Sequence, residues 1–139
     1  MADTRALDHV GMKPAEGVVT RPSAYGFAET LARLDSALER RQLEIFARLD
    51  HSGAARRVGL SMPDTQVVVF GNPKSGTPLM LAAPLVALDL PLRVLVSVDG
   101  GQTVVSYIAP SYLAERYGIP PDLVKNIAGI EKIVEEVVA

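Results

Sequence analysis

The chain has 139 residues, room for one domain with a sizeable core and too few for two ordinary ones. Hydrophobic residues make up 48% and charged residues 22%, a globular rather than a disordered profile. Fourteen basic against sixteen acidic residues give a net charge of −2, which argues against a nucleic-acid or anionic-membrane surface, and the lack of cysteine excludes disulfides, thiol nucleophiles and thiolate metal sites.

Residues 1–16 mix Asp3, Arg5, Asp8, His9 and Lys13 and lack the apolar segment of a secretory signal. The sequence therefore predicts a flexible N-terminal extension over 1–16, a single domain over 17–139 and a cytoplasmic protein. Gly17-Val18-Val19-Thr20-Arg21-Pro22 reads as a short strand ended by proline, which cannot donate to a ladder. Phe27, Leu31, Leu34 and Leu38 then fall at i, i+4, i+7 and i+11, the apolar stripe of a helix. Leu43, Ile45, Ala47 and Leu49 alternate with Glu44, Arg48 and Asp50, a second strand whose polar half is broken by Phe46. Residues 52–58 read as helical turns ended by Gly59, with Ser52 a candidate cap.

Gln66-Val67-Val68-Val69-Phe70 is apolar on both faces at its centre, as an interior strand is. Residues 71–76 read as a loop, and Thr77-Pro78 as an N-cap with proline at N1, opening a helix through residues 79–83 that Pro84 bends or restarts. The apolar stretch 79–96 is interrupted by Pro84, Asp89, Pro91 and Arg93, which rules out a membrane span there. Residues 92–98 and 103–108 are two strands joined by Asp99-Gly100-Gly101, a hairpin signal. Residues 110–117 form a short helix stopped by Gly118, and Pro120-Pro121-Asp122 opens a last helix with Leu123, Ile127, Ile130, Val134 and Val137 on one stripe. Consecutive strands without crossover helices predict an α+β fold, a largely antiparallel sheet with amphipathic helices packed on it. Strand order stays open.

The run Val69-Phe70-Gly71-Asn72-Pro73-Lys74-Ser75-Gly76-Thr77-Pro78, followed by Leu88-Asp89-Leu90-Pro91, resembles a prokaryotic family known as domain of unknown function number 302. Leu49-Asp50-His51 is similar to a further signature of that family. The resemblance covers roughly residues 17–139, nearly the whole chain, and implies a TATA-binding-protein-like arrangement, β-α-β(4)-α, as a homodimer, and no particular reaction. The segment Tyr107-Ile108-Ala109-Pro110 departs from the family, which often carries a polar residue and an acid between that tyrosine and proline. DNA binding by analogy with the fold has little support at this charge and with 5% aromatics.

Gly71 to Thr77 mimics a phosphate loop but fails at the decisive position, since Thr77 and not lysine follows the second glycine. What survives is an anion held by backbone N–H groups at the start of the Thr77 helix beside Lys74, weighed against a plain turn with a cap. His51, at a strand end next to Asp50, is a candidate general base or ligand-site residue, weighed against a structural histidine at a turn. Asp89, an acid among apolar neighbours, either hydrogen-bonds within its loop or serves as a functional acid, with Arg93 the nearest charge in sequence. Tyr107 and Tyr112 are further candidates for the same groove. Two histidines and no cysteine leave too few ligands for a structural metal, and a triad drawn from Ser75, His51 and Asp89 lacks a nucleophile-elbow pattern.

Three readings follow from these residues. The preferred one is a homodimeric module binding a small anionic or partly apolar molecule through His51, Asn72, Lys74 and Thr77, with no cofactor, metal, nucleic acid or membrane involved. The second is an enzyme using His51 with Asp89 or Lys74 in general acid/base or hydrolytic chemistry. The third is an assembly protein with no ligand.

Overall fold

The computed structural model describes residues 12–139. Five strands, β1 (Val18–Pro22), β2 (Glu44–Asp50), β3 (Thr65–Gly71), β4 (Leu92–Asp99) and β5 (Gln102–Ile108), form one sheet in the order β1-β5-β4-β3-β2. Every neighbouring pair is antiparallel, as the sequence predicts. The β4–β5 hairpin closes through Gly100 and Gly101, with φ of 59° and 83°, the double left-handed geometry of a type I′ turn, which glycine adopts without strain. Residues 1–11 of the expected extension lie outside the described residues. Just before β1, the Val18 N–H reaches the Ala15 carbonyl at 3.1 Å.

Two amphipathic helices, α1 (Phe27–Arg40) and the C-terminal α6 (Ile130–Val138), cover one face of the sheet. Leu34, Leu38, Ile130 and Val134 meet Val68, Val94, Val96 and Val105, all essentially without solvent exposure. Arg33 of α1 closes the end of α6 from outside: its Nε donates to the Val137 carbonyl and its Nη2 to the Glu136 carbonyl, both at 2.9 Å. Last-turn carbonyls without intrahelical partners are satisfied in this way.

The irregularity at Phe46 has a structural cause. Register shifts between Ile45, opposite Phe70, and Ala47, opposite Val69, so Phe46 is the extra residue of a β-bulge. The bulge reverses the alternation downstream. Ile45 packs against the main core, and Arg48, opposite Val68, reaches back to Asp35 of α1 at 2.9 Å.

A second, smaller core sits at the end of the sheet where β3 stops and β4 starts. It combines α3 (Pro73–Ala82), a 3₁₀ turn at Pro84–Leu88, α4 (Pro110–Tyr117), a second 3₁₀ turn at Pro121–Leu123 and α5 (Lys125–Ala128) around Leu79, Val86, Leu113 and Ile127. The last helix of the sequence reading is thus divided. Its stripe is continuous, but Leu123 and Ile127 enter the second core while Ile130, Val134 and Val137 enter the main one, with Gly129 at the joint.

Candidate functional site

Where β3 ends, Asn72 caps α3: its side-chain oxygen accepts the Lys74 N–H at 3.0 Å and Pro73 takes N1. The helix opens at Pro73 rather than Pro78, so the expected loop 71–76 is mostly helix and Thr77 is an interior residue, not a cap. Pro78 is carried inside α3. Its missing N–H forfeits a bond to the Lys74 carbonyl, and Lys74 is exposed, so water can take that oxygen. The first turn holds no spare donor for an anion. Pro73 has no N–H, Lys74 gives its own to Asn72 Oδ1, and those of Ser75 and Gly76 both go to the Asn72 carbonyl at 2.9 Å.

A cavity of about 330 Å³ opens between the two cores at this junction. Its deep side is apolar, with Phe70, Ile130 and Ile133 from the main core and Ile127 from the second, each at most 3% exposed. The bulge residue Phe46 and Pro91, which follows a cis peptide bond, flank Gly71 at its rim; a Cβ built on Gly71 would lie 3.8 Å from Phe46 and 3.5 Å from Pro91. One side of its mouth is polar, formed by Asn72, Ser75, Thr77 and Asn126. Asn126 donates to the Ser75 carbonyl at 3.1 Å, which ties α5 to α3 across the opening. The Phe-Gly-Asn-Pro and Leu-Asp-Leu-Pro segments therefore meet here in space, through Phe70 to Pro73 on one wall and Leu90 and Pro91 on another.

Of the residues singled out in the sequence, Asn72 and Thr77 line this cavity; Lys74, in the same turn, is exposed and does not. His51 lies elsewhere. It is the exposed first residue of α2 (His51–Arg57), at the far end of β2 from the cavity, roughly 17 Å along the strand from Phe46 at about 3.4 Å per residue. The structure thus keeps His51 apart from Ser75, Lys74 and Asp89, and assembles neither the acid/base pair nor the triad. Its neighbours are structural: Asp50 caps α2 by accepting the Gly53 N–H at 3.0 Å, and Ser52, instead of capping, is buried and accepts the Thr65 N–H at 3.1 Å.

Asp89 follows the first 3₁₀ turn and accepts a hydrogen bond from the Tyr117 hydroxyl, with Arg116 Nη1 4.0 Å away; Arg116, not Arg93, is its cationic neighbour. That bond, ahead of desolvation and the Asp89 charge, raises the Tyr117 phenol above its ordinary range. Tyr107 packs into the main core, where burial first and Glu131 second raise its phenol likewise, and the Tyr112 ring occupies the space beside Gly17. Neither ring lines the cavity. Sequence reasoning missed Asn126, Phe46 and Gly129. Only Phe46 left a signal, its break in the alternation of β2. Among the described residues, no three acidic or histidine side chains gather as a metal site and no helix is long and apolar enough to cross a membrane.

Comparison with known proteins is consistent with this architecture. A solved structure described as an uncharacterized conserved protein DUF302 from Bacillus stearothermophilus superposes with a TM-score of 0.74 at 22% identity, covering 89% of this chain and 97% of that one, which establishes the shared fold. Among curated proteins, "Fluoride-specific ion channel FluC 1" of Brucella suis biovar 1 (strain 1330) is 36% identical over 104 residues, 74% of this chain and 41% of the relative. FluC 1 of Brucella abortus biovar 1 (strain 9-941) matches equally over 38% of its length. The chain spans about two-fifths of the length of these relatives. The family model for the domain of unknown function DUF302 matches residues 19–137, and the chain belongs to that family.

Proposed function

We propose that this chain is a small-molecule-binding module whose ligand occupies the cavity between β3, α3, α5 and α6. One observation carries the reading: the two segments most distinctive in the sequence converge on a single concave site, apolar within and polar along one side of its mouth. Ligand sites commonly combine an apolar lining with a few placed polar groups in this way. Fluoride conduction belongs to the name of the Brucella proteins; the proposed reading concerns the matched region alone, and a cytoplasmic location is part of it.

Native mass spectrometry of the purified protein tests this. The expected result is adduct mass on the wild-type chain that is lost from Gly76→Leu. Gly76 lines the cavity within α3, where leucine suits the helix and the nearest neighbour of a Cβ, Met80 Cε, is 4.0 Å away. Adduct retained by Gly76→Leu sinks the reading.

A second proposal is that the working unit is a homodimer. Phe46 and Leu49 on the edge strand β2, with Val58, Leu60 and Met62 just beyond, are between 41% and 72% exposed, an apolar surface next to an unpaired strand edge. Sedimentation velocity should return a dimer for the wild type and a monomer for Leu49→Lys/Leu60→Glu. A monomeric wild type at tens of micromolar rejects the dimer.

A further inference from the structure

We infer that the ligand of this cavity is an uncharged amphiphile of about a dozen non-hydrogen atoms, its apolar body inward and a neutral hydrogen-bonding head at the mouth. This rests on the proposed binding role of the cavity and adds the chemical class of what it takes. The size follows from the volume. About 330 Å³ corresponds to on the order of ten water volumes of roughly 30 Å³ each.

The charge follows from the lining. No described residue that lines the cavity is Asp, Glu, Lys, Arg or His. A carboxylate or phosphate carried inside would lose hydration with no cation to pair with, and an ammonium would find no anion. The start of α3 offers no direct donor in their place, because its first-turn N–H groups are already taken up by Asn72 or, at Pro73, absent. An anion, the other branch of the sequence expectation, would therefore find neither a cation nor a spare first-turn N–H here.

The head group follows from the mouth. Asn72 uses its Oδ1 on Lys74 and Asn126 uses its Nδ2 on the Ser75 carbonyl, so the Asn72 amide nitrogen and the Asn126 amide oxygen have no protein partner among the described residues. With the Ser75 and Thr77 hydroxyls, they supply both donors and acceptors on one side of the opening. An alcohol, which donates and accepts, matches this mixed set, whereas a pure hydrocarbon leaves it unanswered.

The test is a titration of the full chain, followed by backbone amide NMR, with octan-1-ol and separately with octanoate at neutral pH. Octan-1-ol is expected to shift the amides of Gly71, Gly76 and Gly129 saturably, with octanoate at least about tenfold weaker because its carboxylate stays unpaired. Thr77→Val, which keeps shape and removes the hydroxyl, should weaken the alcohol, and Gly76→Leu should abolish both responses. Octanoate binding at those amides as tightly as the alcohol overturns the uncharged class and leaves the cavity as a binding site. No cavity shift from either molecule overturns the binding reading and this inference with it.

Discussion

The Tyr117 hydroxyl donates to the Asp89 carboxylate, tying the last turn of α4 to the segment that leads into β4. Asp89 is thereby accounted for as a structural acceptor at one wall of the second core. A carboxylate among Leu88, Leu90 and Pro91 is tolerated because a phenol and, further off, Arg116 face it.

This bond carries a pH signature. The folded-state pKa of Tyr117 is raised above its ordinary 10.0, chiefly by the hydrogen bond. A raised folded pKa contributes stability that is fully present below the unfolded pKa and is lost as pH rises through the folded one. Thermal melts should therefore place Tyr117→Phe below wild type at neutral pH, with the gap closing as pH rises above the ordinary phenol value of about 10 and through the raised folded one. A gap that stays constant across that range shows that the difference comes from packing and not from this bond.

Thr20 and Ser106 form a buried cross-strand pair between β1 and β5, their hydroxyls 2.8 Å apart and both residues no more than 7% exposed. Thr20→Val keeps the shape and strands the serine hydroxyl, an expected loss of about 1 to 3 kcal/mol in urea denaturation. Thr20→Val/Ser106→Ala should cost less than the two single changes summed, since removing both partners leaves nothing unsatisfied. Additive losses argue that the pair is not coupled.

The legible parts of the fold were those in which a single physical signal acts alone. The stripes of α1 and α6 and the glycine pair of the β4–β5 hairpin each have one reading, and the structure follows them. The start of α3 carried two competing signals, Asn72-Pro73 and Thr77-Pro78, each a cap residue followed by proline. What decides between them is that the Asn72 oxygen reaches the Lys74 N–H at the end of β3, a distance that sequence does not encode. The cavity was half legible. Asn72 and Thr77 stand in a distinctive run, but Asn126 and Gly129 reach it only because the C-terminal stripe is shared between two cores. Periodicity shows a stripe without showing that it faces two different partners.

Gly129 joins the two helices that carry that stripe without needing to be glycine for its conformation. Its φ and ψ are −62° and −18°, helical values open to any residue, and a Cβ there would meet nothing within 4 Å. Gly129→Ala is expected to stabilise the chain by about 0.5 to 1 kcal/mol, by lowering unfolded-state entropy and favouring a continuous α5–α6 helix. A higher urea midpoint with an unchanged slope is the confirming result. A lower midpoint indicates that the break at this joint is itself required.

Asn72 separates capping from ligand binding, because its two amide atoms do different things. Asn72→Ala removes the Oδ1 that holds the Lys74 N–H and should cost about 1 kcal/mol of stability. Asn72→Asp keeps an oxygen for that N–H and places a negative charge at the N-terminus of α3, worth about 0.3 to 1 kcal/mol in its favour. It also removes the amide donor and sets a charge at the mouth of a cavity whose described lining otherwise carries none. Stability should therefore rank Asp at least equal to Asn and both above Ala, while octan-1-ol binding should be strongest for Asn and weakest for Asp. If binding instead follows stability across the three residues, Asn72 acts on the cavity only by holding α3 in place, and the head group of the ligand must be read by Ser75, Thr77 and Asn126.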